Sequence, residues 1–217
     1  YMQSAVKKIA DGCVTFERKG KEQSVEADKV LMAVGRKPNV DGLGLENTSL
    51  VWSEKGITVD DNMLTNVPGV YAIGDVNARM MLAHAATMQG LHVVNHIIGE
   101  QDDINLDVMP AAIFTNPEAA CVGKTEDQLK AEGVDIEVRK KNYRTNGRAL
   151  AMAEAEGMIK LVADAGTGEI LSCHAYGAHS ADIVQEISAL MCKHTTLKQL
   201  HDMVHIHPTL NEMLQEI

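Results

Sequence analysis

The pattern of apolar and polar residues changes near residue 104. Before this point, short apolar runs separated by polar or glycine-rich turns predict β-strands followed by one helix. The first two runs are residues 13–16 and 23–26, and the charged, glycine-containing stretch between them predicts a β-hairpin. Beyond the acidic stretch 101–103, strands and helices are spaced as in an α+β domain.

Two continuous apolar runs in the first part are typical of strands that are buried on both faces of a parallel sheet. Residues 29–34 form the first run, which ends at Gly35. Residues 70–73 form the second run, which follows a Pro-Gly turn and stops at Gly74-Asp75. We expect one buried strand at each position.

Helical spacing follows at residues 81–98, where Leu82, Gln89 and Val93 lie along one side. Gly99 is a suitable C-terminal cap for this helix. A strand, a tight turn and a helix in this order make half of a β-α-β unit. Residues up to 104 are therefore expected to supply part of an α/β sheet.

The second part of the chain predicts an antiparallel sheet with helices on one face. A glycine-containing turn at 165–168 separates two short runs, which is a strong hairpin signal. Two capping boxes mark helix starts, because in each a threonine is followed three residues later by a glutamine. The predicted elements are a strand at 111–114, hairpin strands at 158–162 and 169–176, helices beginning at 125–128 and 196–199, and a helix over 181–192.

Composition argues against several classes of protein. The 217 residues carry a formal net charge of −10, which disfavours a nucleic-acid binder and a protein that docks on an anionic membrane. No apolar segment approaches the ~18 residues of a membrane span, and no signal peptide is visible. The four cysteines lie at least 19 residues apart, which excludes a local C-x-x-C motif and is typical of reduced cysteines in a cytoplasmic protein.

Two interpretations fit the histidine-containing segment 205–212. In the structural one, Thr209 and Glu212 form a capping box for a last helix, and the histidines are incidental. In the functional one, Glu212 accepts a hydrogen bond from one imidazole nitrogen of His207, which fixes the tautomer and makes the other nitrogen a better proton acceptor. A general base that works near neutral pH requires this arrangement. The pattern alone leaves both interpretations open.

A metal site is the third and weakest interpretation of this segment. His201, His205 and His207 cluster in the sequence, but no H-E-x-x-H motif is present and the cysteines lie far away. His92 and His96 have i,i+4 spacing without further candidate ligands nearby. We therefore expect no metal ion.

Gly74-Asp75 is a second candidate site. A carboxylate at the carboxyl end of a parallel strand lies where ligands of α/β sheets bind, and it can accept hydrogen bonds from ligand hydroxyl groups. The helix that begins near Met81 would direct free N–H groups and the positive end of its dipole toward an anion. An ordinary turn explains Gly74-Asp75 equally well, and an ordinary loop explains residues 35–39.

Five segments, taken in order, resemble one protein family. They are 33–39 (Ala-Val-Gly-Arg-Lys-Pro-Asn), 65–75 (ending in Val-Tyr-Ala-Ile-Gly-Asp), 81–84 (Met-Leu-Ala-His), 114–118 (Phe-Thr-Asn-Pro-Glu) and 207–212 (His-Pro-Thr-Leu-Asn-Glu). Together they resemble the carboxyl-terminal half of flavin-dependent pyridine-nucleotide disulfide oxidoreductases. The His-x-His-Pro-Thr-Leu form is most similar to the lipoamide enzymes of that family, the dihydrolipoamide dehydrogenases.

The resemblance implies three parts of the chain. Residues 1–36 would end an NAD-binding domain, 37–104 would form the second segment of an FAD-binding domain, and 105–217 would form the interface domain of a homodimer. The first two parts would be incomplete Rossmann-like α/β segments that lack partners in their sheets. We expect these parts to be poorly ordered, rearranged or covered by a partner.

The resemblance also implies roles for single residues. His207 would be the acid–base catalyst, and Glu212 would orient it. Gly35 would lie near the nicotinamide of NAD, and Asp75 would hold the ribityl chain of FAD. The residues that would lie along the flavin are Met81, Leu82, Ala83 and His84.

The activity implied by the resemblance is oxidation of dihydrolipoamide with NAD⁺ through FAD, in a parent enzyme expected to dock on 2-oxoacid dehydrogenase complexes. The chain contains no G-x-G-x-x-G motif and no closely spaced cysteine pair. We therefore expect a fragment of a cytoplasmic or organelle-matrix enzyme that by itself binds neither FAD nor NAD and is inactive. The alternatives are a homodimerising interaction module and a fragment of a glutathione-reductase-like enzyme.

Overall fold

The computed structural model describes all 217 residues. By their internal contacts these residues divide into two units, 1–37 and 38–217. The three-part division expected from the sequence, with boundaries after residues 36 and 104, stays a prediction.

Three antiparallel strands make up most of the unit 1–37. They are β1 (Ser4–Ala10), β2 (Cys13–Arg18) and β3 (Lys21–Glu26), adjacent in that order. The hairpin predicted from the sequence is confirmed, with a two-residue turn at Lys19 and Gly20. Both turn residues have positive φ, as this class of hairpin turn requires. Phe16 is the one buried residue of the unit.

The buried strand expected at residues 29–34 is wrong. These residues pair with no strand, and Leu31 and Val34 are 89% and 85% exposed. A fully buried strand needs neighbours that satisfy its N–H and C=O groups and layers that cover both of its faces. The chain supplies neither at this position, so the apolar run has no regular structure.

A small apolar cluster holds residues 38–82 together, with little regular structure. The only strands here are β4 (Trp52–Ser53) and β5 (Gly56–Ile57), which pair with each other. Trp52 is partly buried and packs against the cluster. The buried members of the cluster are Val40, Leu45, Ile57 and Ala72.

The second expected strand, at residues 70–73, is also wrong. Tyr71 makes a single antiparallel bridge to Leu64, and no ladder follows. Since no neighbouring strand is available to continue the pairing, the chain passes directly into the 3₁₀ turn Gly74–Asn77.

The helix predicted over 81–98 is confirmed as α1 (Ala83–Ile98), with Gly99 as its C-terminal cap. Its buried residues are Ala85, Gln89 and Val93. The opposite side is apolar but open to solvent, because at least half of the surface of each of these residues is exposed: Leu91, Val94, Ile97 and Ile98. None of the helices has the length and apolar composition needed to cross a membrane.

A five-stranded antiparallel sheet is the frame of residues 111–217. Its strands are β6 (Ala111–Ile113), β7 (Glu118–Gly123), β8 (Ile136–Asn142), β9 (Gly157–Asp164) and β10 (Ile170–Gly177). They are adjacent in the order β6-β7-β10-β9-β8, and every pair is antiparallel. The predicted hairpin is therefore confirmed as the pair β9–β10.

Helices pack against this sheet, which confirms the α+β class expected from the sequence. The helices are α2 (Glu126–Ala131), α3 (Gly147–Ala151), α4 (Ser180–Met191), α5 (Leu197–His201) and α6 (Glu212–Gln215). The longest, α4, packs on β10, β7 and β6 and shares one buried core with α5 and α6. The two capping boxes predicted from a threonine and a glutamine are confirmed, at Thr125 before α2 and at Thr196 before α5.

Tyr143 is the largest fully buried side chain and packs against the backbone of β9 and β10. Its hydroxyl donates to Ala178 O at 2.8 Å. Its ring lies so close to Gly177 that a Cβ at this position would be 2.6 Å from the ring carbon Cζ. Gly177 also has a φ of +141°, which side chains with a Cβ rarely adopt. The structure therefore requires glycine here.

Candidate functional site

His207, in the segment between α5 and α6, is brought together with Glu212, the first residue of α6. The imidazole Nδ1 of His207 lies 2.7 Å from Oε1 of Glu212. The His207 side chain is 82% exposed, whereas that of Glu212 is 20% exposed. An ionised carboxylate can only accept a hydrogen bond, so in the neutral imidazole Nδ1 carries the proton and Nε2 presents its lone pair to solvent. The pair has the geometry of a general base with its orienting group.

The second oxygen of Glu212 binds the backbone. Oε2 accepts a hydrogen bond from Thr209 N at 2.8 Å, but the Thr209 hydroxyl donates to Ile206 O, so only half of the predicted capping box forms. The Thr209 N–H and then His207 hold the pKa of the Glu212 carboxyl below its ordinary value. The Glu212 carboxylate thus binds both the backbone at the start of α6 and the imidazole of His207. The structure therefore contains contacts that each of the two interpretations of this segment predicted.

A second carboxylate, Glu186 of α4, anchors the same segment, and the sequence analysis missed it. Its Oε1 lies 2.9 Å from His205 Nε2, and its Oε2 accepts from the side-chain amide of Asn211. Within the predicted helix 181–192, Glu186 has the position of an ordinary surface carboxylate, so the sequence gives no sign of its contacts. The His-x-His spacing is the only hint that His205 has a partner.

Asn146 holds the middle of the segment from the side of α3. Its side-chain amide donates to Thr209 O at 3.0 Å, while its Oδ1 accepts from Ala149 N at 2.9 Å as the N-cap of α3. The next residue, Leu210, is buried in the core of the domain. The backbone beside His207 is therefore fixed by a capped helix and by apolar packing.

The histidines near the end of the chain have separate partners. Their acceptors are Gln215 O for His201, Glu186 for His205 and Glu212 for His207. Elsewhere, His92 pairs with Asp102 at 3.1 Å. The structure contains no group of three or more histidine, cysteine, aspartate or glutamate side chains that could hold a metal ion.

The Gly74-Asp75 turn is fixed by a buried amide network. Gln89 Oε1 of α1 accepts from Gly74 N at 2.8 Å and from Asn77 Nδ2 at 3.0 Å. Asn77 Nδ2 also donates to Ala72 O at 2.9 Å. The sequence offered one hint, since Gln89 is a polar residue on the apolar side of a predicted helix. Asp75 is exposed, and its carboxylate makes no hydrogen bond within the chain.

The four residues expected to lie along a flavin are at the start of α1. Leu82 immediately precedes the helix and supplies no side-chain cap, so the first N–H groups remain available. His84 Nε2 donates to Pro110 O at 2.8 Å, because a carbonyl oxygen can only accept. Ala83 is exposed, and Met81 is half-buried.

Gly35 lies in the unit 1–37, where it is exposed and outside any strand. Within the unit 38–217, the structure brings His207 together with Glu212, and it links the Asp75 turn to α1 through Gln89. These are two groups of residues that no hydrogen bond joins.

Two family models match the chain. The model described as pyridine nucleotide-disulphide oxidoreductase matches residues 1–90. The model of the dimerisation domain of pyridine nucleotide-disulphide oxidoreductases matches residues 109–217. The chain belongs to the pyridine nucleotide-disulphide oxidoreductase family.

Similar members of the pyridine nucleotide-disulphide oxidoreductase family are longer than this chain. The dihydrolipoyl dehydrogenase of Bacillus subtilis is 40% identical over 217 residues, which are 99% of this chain and 46% of that protein. The dihydrolipoyl dehydrogenase of Cupriavidus necator is 41% identical over 201 residues, 92% of this chain and 42% of that protein. The crystal structure of LpdA from Mycobacterium tuberculosis superposes with a TM-score of 0.85 at 27% identity, covering 99% of this chain and 46% of that one. The chain therefore spans about half the length of the curated relatives it matches.

Proposed function

We propose that the chain is the acid–base and dimerisation part of an FAD-dependent dihydrolipoamide dehydrogenase, which oxidises dihydrolipoamide with NAD⁺. The observation that carries the proposal is the contact between His207 Nδ1 and Glu212, which leaves the His207 Nε2 exposed and able to take a proton. The similarity to dihydrolipoyl dehydrogenases over nearly the whole chain supports this choice of substrate.

The proposed role of the pair follows from thiol chemistry. Oxidation of a dithiol to a disulfide requires removal of thiol protons, because the thiolate is the attacking species. His207 would accept a proton at Nε2, and Glu212 would stabilise the resulting imidazolium through Nδ1. Since Glu212 is also held by the Thr209 N–H, the imidazole keeps one orientation during this transfer.

The residues around the Gly74-Asp75 turn fit a flavin. Asp75 offers an exposed carboxylate with no partner in the chain, which can accept hydrogen bonds from ribityl hydroxyl groups. The start of α1 offers uncapped N–H groups and a positive dipole end. FAD bound here would carry two electrons from the dithiol to NAD⁺. The residues that would lie along its ring are Met81, Leu82, Ala83 and His84.

The active enzyme would be a homodimer with residues 105–217 as its interface, so that His207 of one subunit serves the disulfide of the other. The match of residues 109–217 to a dimerisation-domain model supports this arrangement. Gly35 would lie near the nicotinamide. The use of lipoamide implies docking on a 2-oxoacid dehydrogenase complex, in the cytoplasm or an organelle matrix.

The test uses the full-length flavoprotein that contains this sequence. His207→Gln should lower kcat for dihydrolipoamide oxidation by about 10²–10⁴-fold and leave the flavin absorbance unchanged, because only the general base is lost. His194→Gln is the matched control, since His194 is also exposed and lies 2.7 Å from the carboxylate of Glu169. This control should keep its activity. Normal turnover of His207→Gln would remove the role assigned to it.

The same assay separates the alternatives. Turnover of glutathione disulfide in place of dihydrolipoamide would favour a glutathione-reductase-like enzyme, and absence of any turnover would favour an interaction module. The 217 residues alone should form no NADH from dihydrolipoamide, because they contain no G-x-G-x-x-G motif and no closely spaced cysteine pair.

A further inference from the structure

The carboxylate of Glu186 holds the loop that carries His207, which we define as residues 204–211. Oε1 of Glu186 lies 2.9 Å from Nε2 of His205, two residues before His207. Oε2 accepts a hydrogen bond from the side-chain amide of Asn211, four residues after His207. One side chain on α4 therefore contacts the loop on both sides of the imidazole.

Burial distinguishes His205 from its neighbours in the loop. The His205 side chain is 7% exposed, whereas Val204 and Ile206 are 97% and 79% exposed. The loop thus directs one imidazole toward α4 and turns the residues around it outward. The Glu186 side chain is 31% exposed, so water reaches this charged contact only in part.

Glu186 is the one residue outside the range 203–212 that forms a hydrogen bond to residues 204–207. The other hydrogen bonds of these four residues go to Met203 O, to the Thr209 hydroxyl and to Glu212. The later part of the loop has a separate anchor, because Asn146 donates to Thr209 O. Loss of Glu186 would therefore release the part of the loop that precedes the imidazole while the other part stays fixed.

We propose that Glu186 is a positioning residue for the acid–base pair, because it fixes the place of the His207 imidazole by binding His205 and Asn211. The inference rests on the proposed function of His207 but concerns a different carboxylate from Glu212. Glu186 acts through the loop, because it contacts neither Nδ1 nor Nε2 of His207. A displacement of about 1 Å in a catalytic group can lower a rate by as much as about 10²-fold, so this role matters for turnover.

The first test is independent of turnover and uses the 217-residue chain. The ¹⁵N shifts of the His207 imidazole report how far Nδ1 keeps the proton, and in the wild type Nδ1–H should dominate in the neutral ring. Glu186→Ala should weaken this preference, because the loop no longer holds Nδ1 against Glu212. Glu186→Gln should restore part of it, since its amide oxygen replaces one of the two carboxylate acceptors.

Glu169→Gln is the matched control. Glu169 also binds a histidine, His194, at 2.7 Å with a similar side-chain exposure of 35%, and it lies outside the loop. This variant should leave the His207 shifts unchanged. If Glu186→Ala fails to fold, Asn211→Ser replaces it, because this change removes only the contact to Oε2. Identical His207 shifts in the wild type and the folded loop variant would overturn the inference, as would an equal disturbance in Glu169→Gln.

The second test uses the full-length flavoprotein. In Glu186→Ala, kcat should fall by about 10-fold with KM changed by less than about twofold, and Glu186→Gln should lie between this variant and the wild type. An unchanged kcat would overturn the inference. Normal turnover in His207→Gln would overturn the proposed function instead, whatever the imidazole shifts show. Unchanged shifts in Glu186→Ala would overturn the inference even where His207 is essential.

Discussion

The three-stranded sheet of residues 4–26 and the five-stranded sheet of residues 111–177 have the same antiparallel pattern but differ in what covers them. Within the unit 1–37 a single side chain, Phe16, is buried, while α4 covers one face of the larger sheet. The core under α4 includes Ile159, Leu161, Cys173, Ile183 and Ile187, all without exposed surface. A turn between two short runs is enough to predict strands, whereas burial requires a second layer.

Thiol reactivity should show this contrast most strongly. Cys13 begins β2 and is half-buried, whereas Cys173 lies fully buried in β10, where burial raises the pKa of its thiol to about 12. At pH 8 such a thiol is ionised in about one molecule in ten thousand, and only the thiolate reacts. A disulfide reagent should label Cys13 at least about 10³ times faster than Cys173, as followed by mass spectrometry of timed digests. Comparable rates would show that the larger sheet opens as readily as the smaller one.

Truncation of a leucine side chain should change the free energy of unfolding by very different amounts in the two units. Leu161 has no exposed surface, so Leu161→Ala should lower the free energy of unfolding by about 2–5 kcal/mol. Leu31 is 89% exposed, so Leu31→Ala should change it by less than about 0.5 kcal/mol. Urea denaturation of both variants checks this. A large loss in Leu31→Ala would show that the run 29–34 is covered in solution.

Replacement of a glycine by alanine should also destabilise the two sheets by different amounts. Gly177→Ala should lower the free energy of unfolding by about 2–4 kcal/mol, because its Cβ would meet the Tyr143 ring and its φ is positive. Gly20 has positive φ but open space around it, so Gly20→Ala should cost only about 1 kcal/mol, from backbone strain. Thermal denaturation of the pair measures the difference. Equal losses would mean that the contact with Tyr143 relaxes without cost.

The smallest expected effect concerns the hairpin turns. The N–H and hydroxyl of Thr167 hold the pKa of Asp164, in the β9–β10 turn, below its ordinary value of 3.8. Because the folded pKa lies below the unfolded one, the stabilisation is complete above about pH 4 and is lost as the pH falls through the folded value. Asp164→Asn should therefore lower Tm at pH 7 and flatten its decline between about pH 4 and about pH 2.

Asp11→Asn is the control for this titration. Asp11 lies in the turn between β1 and β2, where its carboxylate accepts no hydrogen bond from the turn. The dependence of Tm on acid should be the same in this variant and in the wild type. If Asp164→Asn leaves the dependence of Tm on pH unchanged between about pH 4 and about pH 2, the Asp164 carboxylate contributes nothing measurable to stability.

Elements with a local signal were predictable from the sequence. The capping boxes at Thr125 and Thr196 and the hairpin around 165–168 depend on residues within one turn of each other, and the structure contains all three. The runs 29–34 and 70–73 were misassigned for the opposite reason. An apolar run predicts that a strand would be buried, but it does not show whether a partner strand exists in the chain.

The contacts of the candidate site also differ in how far the sequence predicts them. His207 and Glu212 are five residues apart, so their spacing alone suggested a contact. Glu186 meets His205 across 19 residues, and this contact depends on how α4 packs on the sheet, which no spacing shows. Gln89 is intermediate, because a polar residue on the apolar side of a helix indicates a buried partner without identifying it.

Glu212 couples two properties that protein evolution can otherwise adjust separately. One carboxylate oxygen meets the backbone at the entry to α6, and the other meets the imidazole of His207. Truncation of this side chain removes both contacts in the same step, so a change in one contact alone has to come from His207 or Thr209.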